Sequence, residues 1–299
     1  MVQRPPVCWR DYDGPEWGGV EWSPWMDLDA DTLATAPDAP GLYRVRHQNR
    51  EGLSYIGESG DTQHRIRALA RRVHDSEMPF RDPHTAAPCL WAIRDDDGPG
   101  FELSYTTPEY AADDQQRKGL EAALIASYRL EAGESPPANF GRIISGYQQS
   151  SYRSGGVRGG SLNNGENEPN AELGRSPEPW VNFETVTDPN WMASDWSEPY
   201  RLADRLDADP SDVGLYRIWY EGDAPPLAYI GESSNISRRL YKHESTYGGD
   251  ALFSYSSRTD LDASHKRGEV ECDLIGAHYI AHGCPPRTQF GYTNQIEIS

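Results

Sequence analysis

The sequence predicts an α+β (mixed α/β) protein built as two repeated domains. Short aromatic and β-branched runs read as strands, and longer runs with apolar residues at helical spacing read as helices. The whole pattern then recurs in the same order later in the chain, which marks a tandem duplication. The first copy is expected over 15–143 and the second over 189–299, with 144–180 between them.

Taken in order, each copy opens on a tryptophan pair, Trp17 and Trp22 or Trp191 and Trp196, each followed by serine. Core packing is their default role and base stacking the lesser alternative. Gly41-Leu-Tyr-Arg-Val45 and Ser54-Tyr-Ile56 read as the two strands of a hairpin across a polar connection. Gly214-Leu-Tyr-Arg-Ile218 and the run from Leu227 to Ile230 repeat them. Gly57 and Gly231 are expected to end the second strand, after which Asp61 and Asn235 cap a helix. A later helix, Arg117–Ala132 or Lys266–His282, carries Glu121 or Glu271 and leads through a Pro-Pro turn to Phe140 or Phe290.

The segment 144–180 is rich in Gly, Ser, Asn and Pro, the composition of a flexible linker. Yet the chain from Glu134 to Glu166 encloses no acid, while Arg142, Arg153 and Arg158 lie there with Tyr147 and Tyr152. The second reading of this stretch is therefore an arm that contacts phosphates.

Gly-Leu-Tyr and Tyr-Ile-Gly are weak signals apart. Paired at short interval, followed by Arg65 or Arg239 and then by Glu121 or Glu271, they are specific. On these motifs the chain resembles the GIY-YIG nuclease family twice over, across about 41–142 and 214–291. The resemblance implies a small antiparallel sheet flanked by helices in each copy, and divalent-metal-dependent hydrolysis of DNA phosphodiesters. It makes Glu121 and Glu271 the metal carboxylates, on Mg2+ or Mn2+, in the open arrangement that magnesium favours at phosphoryl sites. Arg65 and Arg239 would hold the phosphate, and Tyr43 with Tyr55, or Tyr216 with Tyr229, would act on the attacking water. Only about 0.1% of a phenol is ionised at pH 7, so a phenolate base costs about 4 kcal/mol. Whether the tyrosines deprotonate the water or only orient it stays open.

The copies depart from the family in complementary ways. His243 stands one helical turn after Arg239, where the first copy has Leu69. Asn139 matches the family's late asparagine, where the second copy has Gln289. The second copy thus carries the fuller acid–base set. Basic residues near these motifs, Arg67, Arg71, Arg72, Arg238 and Lys242, join Arg153 and Arg158 as candidate DNA contacts. A zinc reading of Cys272, His278, His282 and Cys284 suffers from unusual spacing, because Cys272 points about 100° away from the histidines on one helix.

Composition bounds the rest. Acids outnumber bases 47 to 28 for a net charge of −19, and three of the bases are lysines. Such a surface ordinarily repels nucleic acid. In a very salty cytoplasm, a halophilic setting, screening reduces that repulsion to about 3 Å. Four cysteines without paired spacing point to a reducing, cytoplasmic compartment, and no apolar run approaches a membrane span. The expected function is a restriction-like DNA endonuclease with two active sites in one chain. A monomeric pseudo-dimer is the expected state, with a homo-oligomer left open. The alternatives are a binding module with one or both copies inactive, a structure-specific repair nickase, and an RNA nuclease.

Overall fold

The computed structural model describes residues 5–163, 165–210, 213–224 and 226–291. The chain is α+β and divides into two compact units. One unit comprises Cys8–Arg117 and Glu131–Gly174; the other gathers Lys118–Leu130 with the chain from Arg175 onward.

In the first unit, β1 (Met26–Asp27), β2 (Gly41–His47), β3 (Leu53–Ser59) and β4 (Phe101–Thr106) form an antiparallel sheet in the order β1-β4-β2-β3. Helix α1 (Thr62–Val73) follows β3, and α2 (Ala87–Asp97) precedes β4. Asp61 caps α1, its side chain accepting from the His64 amide at 2.9 Å. Ile66, Leu69, Ala70 and Val73 turn inward from α1 onto a core that includes Tyr43, Val45, Leu90 and Ile93. Leu69, the residue that replaces the expected histidine, is fully buried there. Helix α3 (Asp114–Ala132) follows, and its stretch Lys118–Leu130 clusters with the second unit.

The segment 144–180, expected as a linker or an arm, is divided between the two units. As far as Gly174 it belongs to the first unit, with a hairpin of β5 (Tyr147–Gln148) and β6 (Gly160–Ser161). Tyr147 is buried with its hydroxyl on Asp95 at 2.9 Å, and the Ile143 amide bonds the Asn170 carbonyl. Two apolar anchors and a backbone ladder hold a stretch whose composition alone would leave it loose.

The second unit repeats the sheet: β7 (Tyr200–Arg201), β8 (Gly214–Trp219), β9 (Tyr229–Ser233) and β10 (Leu252–Ser257) stand in the order β7-β10-β8-β9. Short α4 (Arg205–Ala208) precedes β8, α5 (Ile236–Tyr247) follows β9, and α6 (Ser264–His282) follows β10. Asn235 caps α5, accepting from the Arg238 amide at 2.8 Å. No helix lies between α5 and β10, so α2 of the first unit is an insertion. Within the second unit α6 meets the Lys118–Leu130 stretch of α3 closely. A Cβ on Gly276 would fall 2.5 Å from Ala126 Cβ and 2.6 Å from the Ala122 carbonyl. Beside this contact Arg129 is fully buried, bonding Asp273 at 2.8 and 3.1 Å and lying 3.5 Å from Glu269.

The tryptophan pairs are core, in line with their default role. Trp17, Trp22, Trp191 and Trp196 are all buried, and the second indole of each pair donates to the first residue's carbonyl, at 2.8 and 3.0 Å. The arginine of each Gly-Leu-Tyr-Arg run explains the repeat. Arg44 and Arg217 are buried, each with its guanidinium 4.3 Å from the ring of Trp22 or Trp196. Each donates to loop carbonyls, Arg44 to Tyr12 and Gly14, Arg217 to Val186, Thr187 and Asp188. Burial lowers their pKa values to about 10 and about 9, still above neutrality, so both remain cationic donors. All four cysteines are free thiols. Among the described residues no helix is long and apolar enough to cross a membrane.

Candidate active site

The tyrosines of the two motifs meet on one face of each sheet. Tyr43 sits opposite Gly57 across β2–β3, and Tyr216 opposite Gly231 across β8–β9. Tyr55 and Tyr229 lie diagonal to them, with ring centroids 5.8 Å apart in the first unit and 6.0 Å in the second. Gly57 and Gly231 therefore do not end the second strand, as expected, but continue it through Ser59 and Ser233. Their reason is space. A Cβ at Gly57 would fall 2.5 Å from Tyr55 Cε1 and 2.9 Å from Tyr43 Cζ, and one at Gly231 would fall on the Tyr216 hydroxyl.

In the second unit α5 brings Arg239 and His243 to this pair. His243 Nε2 lies 2.9 Å from Tyr216 Oη, and its ring is 5.0 Å from that of Tyr229. The Arg239 guanidinium lies against both tyrosine hydroxyls, whose proximity raises its own pKa. Burial, then Arg239, lowers the pKa of His243 to about 4, so the imidazole is neutral at pH 7. Burial pushes both phenols above their usual value, Tyr216 the further, although Arg239 opposes the shift. Ionised phenolate is thus disfavoured at the motif tyrosines. Glu271 projects from α6, and burial with Glu232 beside it pushes its pKa up to about 7. Glu232 in turn is paired with Arg267 at 2.6 Å.

The first unit reconstructs the same cluster from a different part of the chain. Leu69 cannot supply an imidazole, but His84, in the insertion ahead of α2, places its Nε2 at 2.8 Å from Tyr43 Oη. Its ring lies 6.2 Å from Tyr43 and 5.7 Å from Tyr55. His84 is fully buried, and burial with Arg65 and Arg72 nearby lowers its pKa to about 3. Arg65 Nη1 donates to the Pro83 carbonyl at 2.7 Å, tying the arginine to the loop that carries His84. Sequence reasoning missed His84 because it lies outside the motif frame. The one signal was a histidine inside a segment that the second copy lacks, in the copy whose motif histidine is missing. Glu121 is partly buried on the stretch of α3 that clusters with the second unit.

Asn139 is tied to the backbone of β3. Expected among the catalytic groups, it commits both ends of its amide to Ile56, accepting from the amide at 3.1 Å and donating to the carbonyl at 2.8 Å. It fastens the outer edge of β3 between Tyr55 and Gly57. Gln289, expected as a missing equivalent, does similar work by accepting from the Ile230 amide at 3.0 Å.

The expected DNA contacts separate into groups. Arg71, Arg72, Arg153 and Arg158 surround one cavity in the first unit. Arg67 donates to the Ala30 carbonyl at 3.3 Å instead. Arg238 and Lys242 are exposed on α5. Arg142 is buried. His278, from the zinc reading, bonds the Cys284 carbonyl through Nδ1 at 3.0 Å, while Cys272 Sγ points to the Ala122 carbonyl. Among the described residues no group of three or more His, Cys, Asp or Glu is arranged to hold a metal ion.

No protein-family model, curated protein or solved structure matches the chain.

Proposed function

We propose that the protein is a divalent-metal-dependent DNA endonuclease that hydrolyses phosphodiester bonds, with an active site in each copy. The observation that carries this reading is the tyrosine–tyrosine–histidine–arginine cluster, built twice with the histidine drawn from unrelated positions, His243 and His84. A packing arrangement has no need to restore a lost imidazole from another segment. A chemical role does.

The residues suit the reaction. Arg239 and Arg65 offer a planar, permanently charged fork to the phosphate. The tyrosine hydroxyls, kept protonated by burial in the second copy, orient the attacking water rather than ionise. Neutral His243 and His84, bonded to those hydroxyls, are able to take a proton as the water attacks phosphorus and the bond to the leaving oxygen breaks. Glu271 fits a cation, since a desolvated carboxylate beside Glu232 gains from a positive charge. Glu271, and Glu121 in the first copy, would hold Mg2+ or Mn2+, which supplies neutralisation of the phosphate's growing charge.

The test is supercoiled plasmid cleavage with magnesium across a range of salt concentrations. Wild type should give linear product, Glu121→Ala and Glu271→Ala nicked circles, and the double variant no cutting. If one single substitution abolishes all cutting and the other changes nothing, only one copy is catalytic. An intact plasmid under every condition, with DNA still bound, would leave a binding module as the answer.

A further inference from the structure

In a chain with 47 acids, arginines are expected to be paired, and many are. Arg71 and Arg72 are not: among the described residues neither has an ion-pair partner. They project from α1 into a cavity of about 470 Å³ in the first unit, met from the other side by Arg153 and Arg158. One carboxylate, Asp75, shares the lining. Phe80 forms an aromatic wall, with Arg158 4.5 Å and Arg153 5.6 Å from its ring. Arg158 is fixed there by a bond to the Met78 carbonyl at 2.9 Å and an ion pair with Glu77 at 3.4 Å, and Arg153 meets Asp82 through its amide at 2.5 Å and its guanidinium at 3.8 Å. Arg71 and Arg72, without carboxylate partners beside these two ion-paired arginines, leave the hollow cationic and favour an anionic occupant.

Size and position narrow that occupant. The volume lies within the ~300–1,000 Å³ of small-ligand sites, and a double helix cannot enter it. A single nucleotide out of the stack can, with its phosphate on arginines and its base against Phe80 or a guanidinium plane. The cavity also borders the reacting groups. Pro83 lines it, the Pro83 carbonyl holds Arg65, and the next residue, His84, bonds Tyr43. A nucleotide lodged there would lead its own strand directly to the first-copy site.

We propose that this cavity binds an unpaired nucleotide, so that the first-copy site selects DNA carrying a single-stranded tail, flap or bubble over a continuous duplex. This deepens the nuclease reading and rests on it. The stretch 144–174, by delivering Arg153 and Arg158, is then part of a substrate site.

Fluorescence anisotropy in EDTA tests the binding, comparing a blunt duplex with the same duplex bearing a single-stranded tail. Wild type should bind the tailed DNA about tenfold more tightly, the scale of one base stacked on an aromatic or guanidinium plane. Arg71→Gln with Arg72→Gln, both on the outer face of α1, should erase the preference, and Phe80→Ala should reduce it while leaving the blunt duplex unchanged. Equal binding of the two DNAs, or a preference that survives the arginine substitutions, overturns the proposal. Plasmid cleavage in parallel separates the two failures: cutting without a tail preference removes this proposal alone. A tail preference without cutting of either DNA keeps the cavity assignment and removes the nuclease reading.

Discussion

The glycine between the motif tyrosines is where the smallest change should do most damage. Adding a methyl group at Gly57 or Gly231 places it inside van der Waals contact of both phenol rings. Overpacking of this kind typically costs about 1–3 kcal/mol, and here the side chains forced to move are the candidate catalytic ones. Gly231→Ala should therefore lower the urea unfolding midpoint and, on the proposed reading, remove cutting by the second copy; unchanged stability would refute the packing argument. His84 makes a second, pH-dependent prediction. Its folded pKa, about 3, lies below the ~6.5 of an unfolded histidine, so the unfolded chain binds the proton first. Its contribution is complete above pH 6.5 and is lost as pH falls, by about 2 kcal/mol at pH 5. Glu271 and Asp273, whose pKa values are raised to about 7 and about 6, act in the opposite sense. They are common to wild type and His84→Phe, so the difference between the two unfolding curves at pH 7 and pH 5 isolates the imidazole. Equal pH slopes would mean that His84 is not held neutral. The tyrosines, the arginines and the motif glutamates were legible because each copy vouches for the other. His84 was not, because its partner in the second copy, His243, enters from a different element. Asn139 was legible by position, but sequence does not reveal that the backbone of Ile56 bonds both ends of its amide.

The contact of α6 with the Lys118–Leu130 stretch of α3 shows what small residues accomplish. A mid-helix glycine costs about 1 kcal/mol against alanine, so Gly119 and Gly276 need a packing reason. They have one: a Cβ on Gly119 would sit 2.7 Å from the Tyr279 ring, and one on Gly276 would meet Ala126 and Ala122. Gly276→Val should destabilise the second unit by about 1–3 kcal/mol despite the better helix propensity of valine. Thermal unfolding followed by tryptophan fluorescence checks this, and a stability gain would show that the helices have room. Periodicity revealed both helices and aromatic, β-branched runs revealed the first hairpin, but neither reveals which unit a helix joins. That depends on the fit of one surface to another. The segment 144–174 escaped composition for a related reason. Ile143 and Tyr147 are few among many glycines and serines, yet both are buried, and the β5–β6 ladder pairs Tyr147 and Gln148 with Ser161 and Gly160.

Charge is the property that acts across the entire chain, and it sets two effects of opposite sign on DNA. With a net charge of −19 the protein as a body repels a polyanion, and this repulsion reaches furthest in dilute salt, where the screening length is about 30 Å at 0.01 M. On the proposed reading, the arginines at the cavity and the motif sites would attract phosphate locally, and each such contact would weaken as salt rises through counterion competition. Most DNA-binding proteins are basic, feel only the second effect and lose affinity steadily with salt. Here the first should dominate in dilute solution and the second in concentrated solution. DNA affinity is expected to rise with KCl, pass through a maximum and then fall, with the unfolding midpoint rising over the same initial range as acid–acid repulsion is screened. Anisotropy and tryptophan fluorescence across a KCl series measure both on one sample. A steady loss of affinity from the lowest salt, with stability unchanged, would mean that local contacts outweigh the net charge throughout and that the acidic surface is no adaptation to salt. A maximum near 1 M would instead explain how so acidic a chain can handle DNA: the medium cancels the long-range field, and the few arginines facing the substrate decide binding.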